Sequence, residues 1–353
     1  MPIPVIDLFA GPGGLNEGFN AVRDAQGRRV FRTLVSVECE ELAHRTLELR
    51  ALFRRLEDRG DKTAYYRYVK SEITREALFA AAGNEGILAT REALRAKLGS
   101  SKAGNEAIEG HIAAELGKTK HDGFVLIGGP PCQAYSLVGR ARRTKETRAD
   151  FEADDKHVLY REYLSILSRF RPAAFIMENV PGLLSASLNG VRTFELIRTD
   201  LAGAGYDLHP ISAREPDAEV TDNPRGFVVR AEAHGVPQAR ARIFILGLRK
   251  DLGLKAGTLV RAAGDPATVA EVISDLPRIR SRLSKEPDSG EAWLSVIRHV
   301  ADYDLSGLGE RFGRTVRQKL AAMHPNYPLG AATMAPTGKR PAKLATWYQD
   351  RDL

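Results

Sequence analysis

The segment Val5–Phe19, with the sequence VIDLFAGPGGLNEGF, places a glycine-rich turn between an apolar strand and a helix. Glycines at such a turn let the backbone approach a ligand closely, and the helix that follows presents unpaired N–H groups at its start. A second apolar strand, 31–37, ends at Glu38, and a carboxylate in that place suits the two hydroxyls of a ribose. The segment therefore predicts a site for an adenosine-containing cofactor. By itself it leaves NAD, FAD and S-adenosylmethionine open.

Three later apolar runs, at 124–129, 174–180 and 242–248, predict further strands of the same sheet. Residues between them have helical periodicity, and strands that alternate with helices are typical of an α/β protein with a mostly parallel sheet. Residues 40–120 have a mainly helical pattern. After residue 285 the regular alternation ends, which predicts a second, irregular region.

Composition excludes several classes of protein. The chain has 353 residues, 43% of them hydrophobic and 27% charged, which is ordinary for a globular protein with a large core. Its two cysteines, Cys39 and Cys132, exclude a disulfide framework and a four-thiolate zinc site, and we expect no metal. No apolar run reaches the roughly 18 residues of a membrane span, and the N-terminus lacks the pattern of a secretory signal. We therefore expect a cytoplasmic protein.

The positive charge is concentrated in two runs. Lys and Arg number 52 against 45 Asp and Glu, so the net charge is +7, which permits a polyanionic partner without requiring one. Residues 140–148 carry five basic side chains and one Glu, and residues 311–343 carry seven basic side chains and no acid. Such runs are either solvated surface or nucleic-acid contacts, and their neighbours decide between the two.

The residues that can carry chemistry follow the predicted strands. Cys132 lies in GGPPCQAYS after one strand and Glu178 at the end of another, and ligands of open α/β sheets bind at the carboxyl ends of strands. A lone cysteine is more often a small buried residue, so it is the combination with the glycine turn that indicates a site. The two prolines before Cys132 fix the backbone there. Arg240 and Arg242 share one face of a strand and can lower the pKa of a nearby thiol, whose thiolate is the nucleophilic form.

These motifs make the sequence resemble the DNA (cytosine-5) methyltransferases of the bacterial restriction–modification type. Over about 70% of the chain it carries, in family order, DLFAGPGGLNEGF, VECE, GGPPCQAYS, MENVPGLL and GVPQARARIFILGLR. The resemblance implies a Rossmann-like doubly wound sheet of the methyltransferase type. It also implies methyl transfer from S-adenosylmethionine to a cytosine that is flipped out of double-stranded DNA.

The resemblance also assigns roles to residues. It makes Cys132 the covalent nucleophile, Glu178 the group at N3 of the base, and Arg240 and Arg242 the supporting pair, while Asn179 is expected to orient the nucleophile loop. The cofactor residues that it implies are Asp7, Phe9, Ala10, Gly11, Gly13, Gly14, Glu38, Glu72 and Pro130. The nucleic-acid contacts that it implies are Gln133, Ser136, Arg140, Arg142, Arg143 and Gln238.

The sequence also departs from the family pattern. Glu72 stands for the Asp that usually meets the adenine amine, and residues 40–120 separate the early motifs widely, so we expect a helical insertion in a catalytic domain of residues 1–284. No segment after residue 250 matches the two C-terminal motifs of the family. We therefore expect residues 285–353 to be the start of a truncated target-recognition region, or a second polypeptide to carry those motifs. The alternative functions are methylation of cytosine in tRNA and a non-catalytic subunit of a split methyltransferase.

Overall fold

The structure is a computed structural model that describes residues 1–121, 123–131, 155–188, 191–212, 224–305, 307 and 309–329. The strands are β1 Ile3–Leu8, β2 Phe31–Glu38, β3 Ala93–Arg95, β4 Val125–Gly128, β5 Ala174–Asn179, β6 Ser187–Leu188, β7 Val191–Arg192, β8 Tyr206–Pro210, β9 Val228–Arg230 and β10 Ala241–Arg249. The helices are α1 Gly14–Ala21, α2 Glu41–Arg59, α3 Thr63–Val69, α4 Arg75–Ala82, α5 Asn84–Glu92, α6 Lys102–Leu116, α7 Asp155–Phe170, α8 Thr193–Gly203, α9 Val269–Ile273, α10 Gly290–His299 and α11 Glu310–Ala321.

The main sheet has the strand order β3-β2-β1-β4-β5-β10-β8, with β9 paired to β10. The first five strands of that order are parallel, and β10 runs antiparallel to its neighbours. Leu8 is aligned with Val37 on one side and with Gly128 on the other, so β1, β2 and β4 end at the same edge. The predicted mostly parallel, doubly wound α/β sheet is confirmed.

The two faces of β1 have different surroundings. Ile6 and Leu8 are fully buried in the main hydrophobic core, which also contains side chains of α6, α7 and α8. Because side chains alternate along a strand, Asp7 points to the opposite face, where it is aligned with Ser36 of β2. The hydroxyl of Ser36 accepts a hydrogen bond of 2.9 Å from the side-chain amide of Asn16 in α1. The helix that follows the glycine turn is therefore fixed to the sheet through buried polar groups.

The segment 40–120 is not helical throughout. It contains β3, which pairs in parallel with the carboxyl end of β2 and extends the sheet by one strand. The sequence does not predict this strand, because three residues are too short to show a periodicity. The helices α2, α4 and α5 share a second hydrophobic cluster that includes Leu52, Leu78 and Ala89. The prediction that part of this segment is an insertion relative to the family is not tested by the fold.

The chain divides into two compact units between Ala267 and Thr268. In the second unit, α9 begins at a capping box formed by Thr268 and Glu271, and α10 buries Trp293. The sequence-based boundary between residues 284 and 285 concerns functional regions and stays a prediction. Within the part of the chain that the structure describes, no helix has the length and apolar character needed to cross a membrane.

Candidate active site

The glycine turn after β1 has a strongly constrained backbone. Phe9, Gly11 and Gly13 have φ values of 56°, 56° and 88°, in the left-handed region that is uncommon for a residue such as Phe9. The backbone N–H of Ala10 donates to the carbonyl of Val37 at 3.0 Å, which ties the turn to β2. The helix α1 starts without a side-chain cap. Its first N–H groups therefore remain available to a ligand.

Glu38 lies at the end of β2 and faces this turn. Its carboxylate accepts hydrogen bonds from the backbone N–H groups of Gly11 at 2.7 Å, Cys39 at 2.8 Å and Glu40 at 2.7 Å. A Cβ added to Gly11 would meet no described heavy atom within 4 Å, so the space beside the turn is open. The structure thus brings the predicted ribose acid and the predicted cofactor turn, Phe9 to Gly14, together.

Asp7 lies behind the turn rather than beside it. The residue is 1% exposed, and one of its carboxyl oxygens has no hydrogen-bond partner among the described residues. Burial raises the pKa of Asp7 well above its ordinary value, although the positive charge of Arg54 opposes the shift. A direct cofactor contact by Asp7 remains a prediction.

Glu72 lies on the exposed connection between α3 and α4, with its carboxylate 3.4 Å from Arg67. Among the described contacts, none joins it to the turn or to Glu38. The residues at the end of β3, unlike Glu72, lie next to Glu38. Arg95 is aligned with Glu38 across the two strands, and the N–H of Ala96 donates to the Glu38 carbonyl at 3.1 Å. The sequence gives no signal for these residues, because β3 is too short to show a strand pattern.

Glu178 and Arg242 form an ion pair across two neighbouring strands. Nε of Arg242 in β10 lies 2.8 Å from Oε1 of Glu178 in β5, and both side chains are partly exposed. Burial raises the pKa of Glu178 above its ordinary value, and the positive charges of Arg242 and Arg240 oppose this shift. Arg240 precedes β10 and is exposed, and Gln238 is also exposed. This arrangement gives an acid that is held in place and is harder to ionise than a surface carboxyl.

The backbone after β4 leads to the predicted nucleophile. The side-chain amide of Asn179 donates to the carbonyl of the buried Pro130 at 3.1 Å, and the role of Asn179 in orienting the nucleophile loop stays a prediction. A Cβ on Gly129 would lie 3.0 Å from Oε2 of Glu178, so the acid packs against the corner three residues before Cys132. Outside the described residues lie Cys132, Gln133, Ser136, Arg140, Arg142 and Arg143.

The turn, the proline corner and the acid occupy one edge of the sheet. Leu8 is aligned with Gly128, and Gly128 with Met177, so the ends of β1, β4 and β5 lie side by side. Ligands of doubly wound sheets bind at this edge. Among the described residues no group of three or more His, Cys, Asp or Glu side chains is suited to hold a metal ion. The site can therefore combine an adenosine-containing cofactor with acid chemistry on a second ligand.

Comparison with known proteins identifies a family for this chain. The family model for C-5 cytosine-specific DNA methylases matches residues 84–304. A type II methyltransferase of Bacillus paralicheniformis, M.Bpa9945I, is 28% identical over 91% of this chain and 72% of its own length. The DNA-cytosine methyltransferase of Escherichia coli K12 is 28% identical over 92% of this chain and 57% of its own length. A solved structure described as a prophage-encoded DNA modification methyltransferase of E. coli aligns with 81% of this chain and 58% of that chain, at 22% identity and a TM-score of 0.47.

The family model covers well over half of the chain and includes both Glu178 and Arg242. We conclude that the chain belongs to the family of C-5 cytosine-specific DNA methylases.

Proposed function

We propose that this chain is a DNA cytosine C5-methyltransferase of a restriction–modification system, which methylates a flipped-out cytosine in double-stranded DNA. The observation that carries the proposal is the position of Glu178. The carboxyl group is paired with Arg242 at 2.8 Å and packs against Gly129, in the backbone corner that leads to Cys132. An acid held beside the backbone that leads, three residues later in the sequence, to a cysteine fits what addition to a pyrimidine requires.

The residues of the first strand end fit S-adenosylmethionine. The open space at Gly11 and the uncapped start of α1 can accept the amino-acid part of the cofactor, and Glu38 can accept hydrogen bonds from the ribose hydroxyls. When bound, S-adenosylmethionine supplies an electrophilic methyl group on a positively charged sulfur.

The chain's own residues activate the base. Carbon 5 of cytosine is a weak nucleophile, so the thiolate of Cys132 adds to carbon 6 while Glu178, in its protonated form, donates to N3. This addition places the electron pair of the former double bond at carbon 5. After methylation, loss of the carbon 5 proton to a base breaks the bond between Cys132 and carbon 6 and restores the thiolate.

The reaction requires the base to leave the helical stack, which costs a few kcal/mol that contacts to the DNA must offset. Basic side chains supply such contacts through the phosphates. In the second unit, α11 carries Arg311, Arg314, Arg317 and Lys319 against the single acid Glu310, and all of these residues are exposed. This charge supports a nucleic-acid substrate, and the family supports DNA.

The experiment that tests the function measures methyl transfer from S-[methyl-³H]adenosylmethionine. The full chain is incubated with unmethylated genomic DNA and, separately, with bulk tRNA. We expect label in DNA, recovered as 5-methylcytosine, and none from the Cys132→Ser variant. Label in tRNA alone contradicts the proposal, and so does a chain that binds the cofactor but labels neither substrate, because it would then be a non-catalytic subunit.

A further inference from the structure

A network of charged residues, buried at its centre and partly exposed at its ends, lies behind the cofactor turn. Its centre is Arg54 of α2, which is 6% exposed. Nη1 of Arg54 pairs with Glu17 of α1, and Nη2 pairs with Glu92, the last residue of α5. One guanidinium group thus joins three helices that are far apart in the sequence.

Glu92 is itself shared between two arginines. It is 5% exposed, and while one carboxylate oxygen faces Arg54, the other lies 2.9 Å from Nη2 of Arg55. Arg55 also lies 3.8 Å from Glu85, near the start of α5. Glu92, the most buried carboxylate of the network, thus faces two arginines, so its burial leaves it with opposite charge on both oxygens.

The Glu17 end of the network leads directly to the cofactor turn. Glu17 lies in the first turn of α1, and its backbone N–H donates to the carbonyl of Gly13 at 2.9 Å. The helix α2 also contacts this place, because a Cβ on Gly13 would lie 2.8 Å from Leu47 Cδ1. Leu47 and Arg54 are seven residues apart, two helical turns, so both lie on the face of α2 that packs against α1.

Stability alone gives no reason for a buried ion pair at this position. Replacing such a pair with apolar side chains of similar volume is often neutral or stabilising, whereas charged pairs can fix how elements align. The turn needs such fixing, since it contains three left-handed residues and no side-chain cap. On the proposed function, this turn holds the methyl donor.

We infer that Arg54 is a positioning residue for the methyl-donor site, and that the helices α2 and α5 hold the cofactor turn in place through its bond to Glu17. The inference rests on the proposed function only for the identity of the ligand. It assigns to part of segment 40–120 a role in the reaction that the motifs do not contain. Arg54 itself contacts neither the cofactor nor the base in this account.

The test uses the full chain with two variants of the network and one matched control. Arg54→Met keeps an unbranched apolar stem and removes the guanidinium group. Glu17→Gln removes the negative charge of the partner at a partly exposed position, where the change is small. The control is Arg75→Met, because Arg75 forms a similarly buried pair with Glu48 in the same segment and has no described contact with α1. Folding of each variant is checked by circular dichroism and thermal melting.

The first readout is hydrogen–deuterium exchange in the free protein. We expect faster exchange at the backbone N–H groups of residues 10–17 in Arg54→Met and Glu17→Gln, and no change in Arg75→Met. This readout needs no ligand. Unchanged exchange in a folded Glu17→Gln variant overturns the inference, as does an equal change in the control.

The second readout is the Kd for S-adenosylmethionine, measured by calorimetry. We expect this Kd to rise at least about fivefold in both network variants. The double variant should have the same Kd as the more strongly affected single variant, because both changes break the same interaction. Additive effects overturn the inference, as does an unchanged Kd in both single variants. A wild-type chain that binds no S-adenosylmethionine instead contradicts the proposed function, and the exchange experiment still decides the role of Arg54.

Discussion

The carboxylate of Glu38 accepts a hydrogen bond of 2.7 Å from the backbone N–H of Gly11, which lies 27 residues earlier in the chain. The bond joins the acid at the end of β2 to the glycine turn at the end of β1. Two parts of the proposed cofactor site, one for the ribose and one for the amino-acid end, are therefore held in a fixed relation before any ligand binds.

Replacing Glu38 by Gln should weaken cofactor binding more than catalysis. The amide keeps the shape but loses the charge, and hydrogen bonds to charged groups contribute about 1.5–3 kcal/mol, so we expect the Kd for S-adenosylmethionine to rise by roughly 10- to 100-fold. At saturating cofactor, kcat should stay near the wild-type value. The matched control is Glu41→Gln, because Glu41 is exposed and pairs only with Arg95 at 3.1 Å among the described contacts. An unchanged Kd in the Glu38 variant would remove this residue from the cofactor site.

Glu178→Gln should give a protein that binds DNA but reacts slowly. The amide can still donate to N3 of the base, yet it has no proton to transfer, so the single-turnover rate should fall by about 10²- to 10⁴-fold. DNA affinity, measured by fluorescence anisotropy, should change little. If the rate is unchanged, Glu178 takes no part in the chemistry, and if binding is lost at an unchanged rate, its role is structural.

The pH dependence of the rate should report the ion pair between Glu178 and Arg242. Activity needs protonated Glu178, so the rate should fall as pH rises through the pKa of this group, which burial raises. The positive charge of Arg242 lowers that pKa, and its removal in Arg242→Gln should therefore shift the falling limb of the pH profile to higher pH.

The maximal rate of the Arg242→Gln variant should also drop, because Glu178 loses the ion pair that holds its side chain in position. The control for the pH experiment is Arg249→Gln on the same strand, since Arg249 pairs with Asp251 at 2.7 Å instead. Its pH profile should match that of the wild type. A falling limb that stays in place, or moves to lower pH, in Arg242→Gln would show that Arg242 does not act through Glu178.

The basic helix α11 should contribute to DNA affinity through phosphates. Each phosphate contact changes the slope of log K against log salt by about 0.9, so Arg311→Gln and Arg314→Gln should each weaken binding and reduce the slope by about 1 if each makes one contact. The effect should be the same on DNA of any sequence. The control is Lys102→Gln on α6, whose side chain is 91% exposed. Slopes that match those of the control would place α11 outside the DNA interface.

Much of the sheet could be predicted from the sequence because its central strands are apolar and bounded by glycine, proline or charge. The glycine turn and Glu38 lie together in the structure, as expected when a strand, a turn, a helix and a second strand follow one another in this order. The sequence does not predict β3 and β9, because three residues carry no measurable period, or β8, because its residues YDLHP do not form an apolar run.

The contacts of Arg54 with Glu17 and Glu92 could not be predicted from the sequence. Arginine and glutamate in a charged helical segment are usually solvent-exposed, and nothing in the spacing of Glu17, Arg54 and Glu92 indicates that they meet. The contact depends on how α1, α2 and α5 pack on one face of the sheet. For the same reason Glu72 was selected by its local sequence, whereas the topology brings the end of β3 next to Glu38.

The central claim is that Cys132 attacks a cytosine that Glu178 activates, and covalent trapping tests it most directly. Genomic DNA in which 5-fluorocytosine replaces cytosine is incubated with the full chain and S-adenosylmethionine, then digested with nuclease and analysed by denaturing electrophoresis and peptide mass spectrometry. The fluorine cannot leave as a proton, so the adduct cannot resolve. We expect an adduct that survives denaturation and maps to Cys132. It should be absent from the Cys132→Ser variant, because a serine hydroxyl is almost entirely un-ionised at neutral pH. Trapping that persists in Cys132→Ser, or an adduct on another residue, would contradict the account.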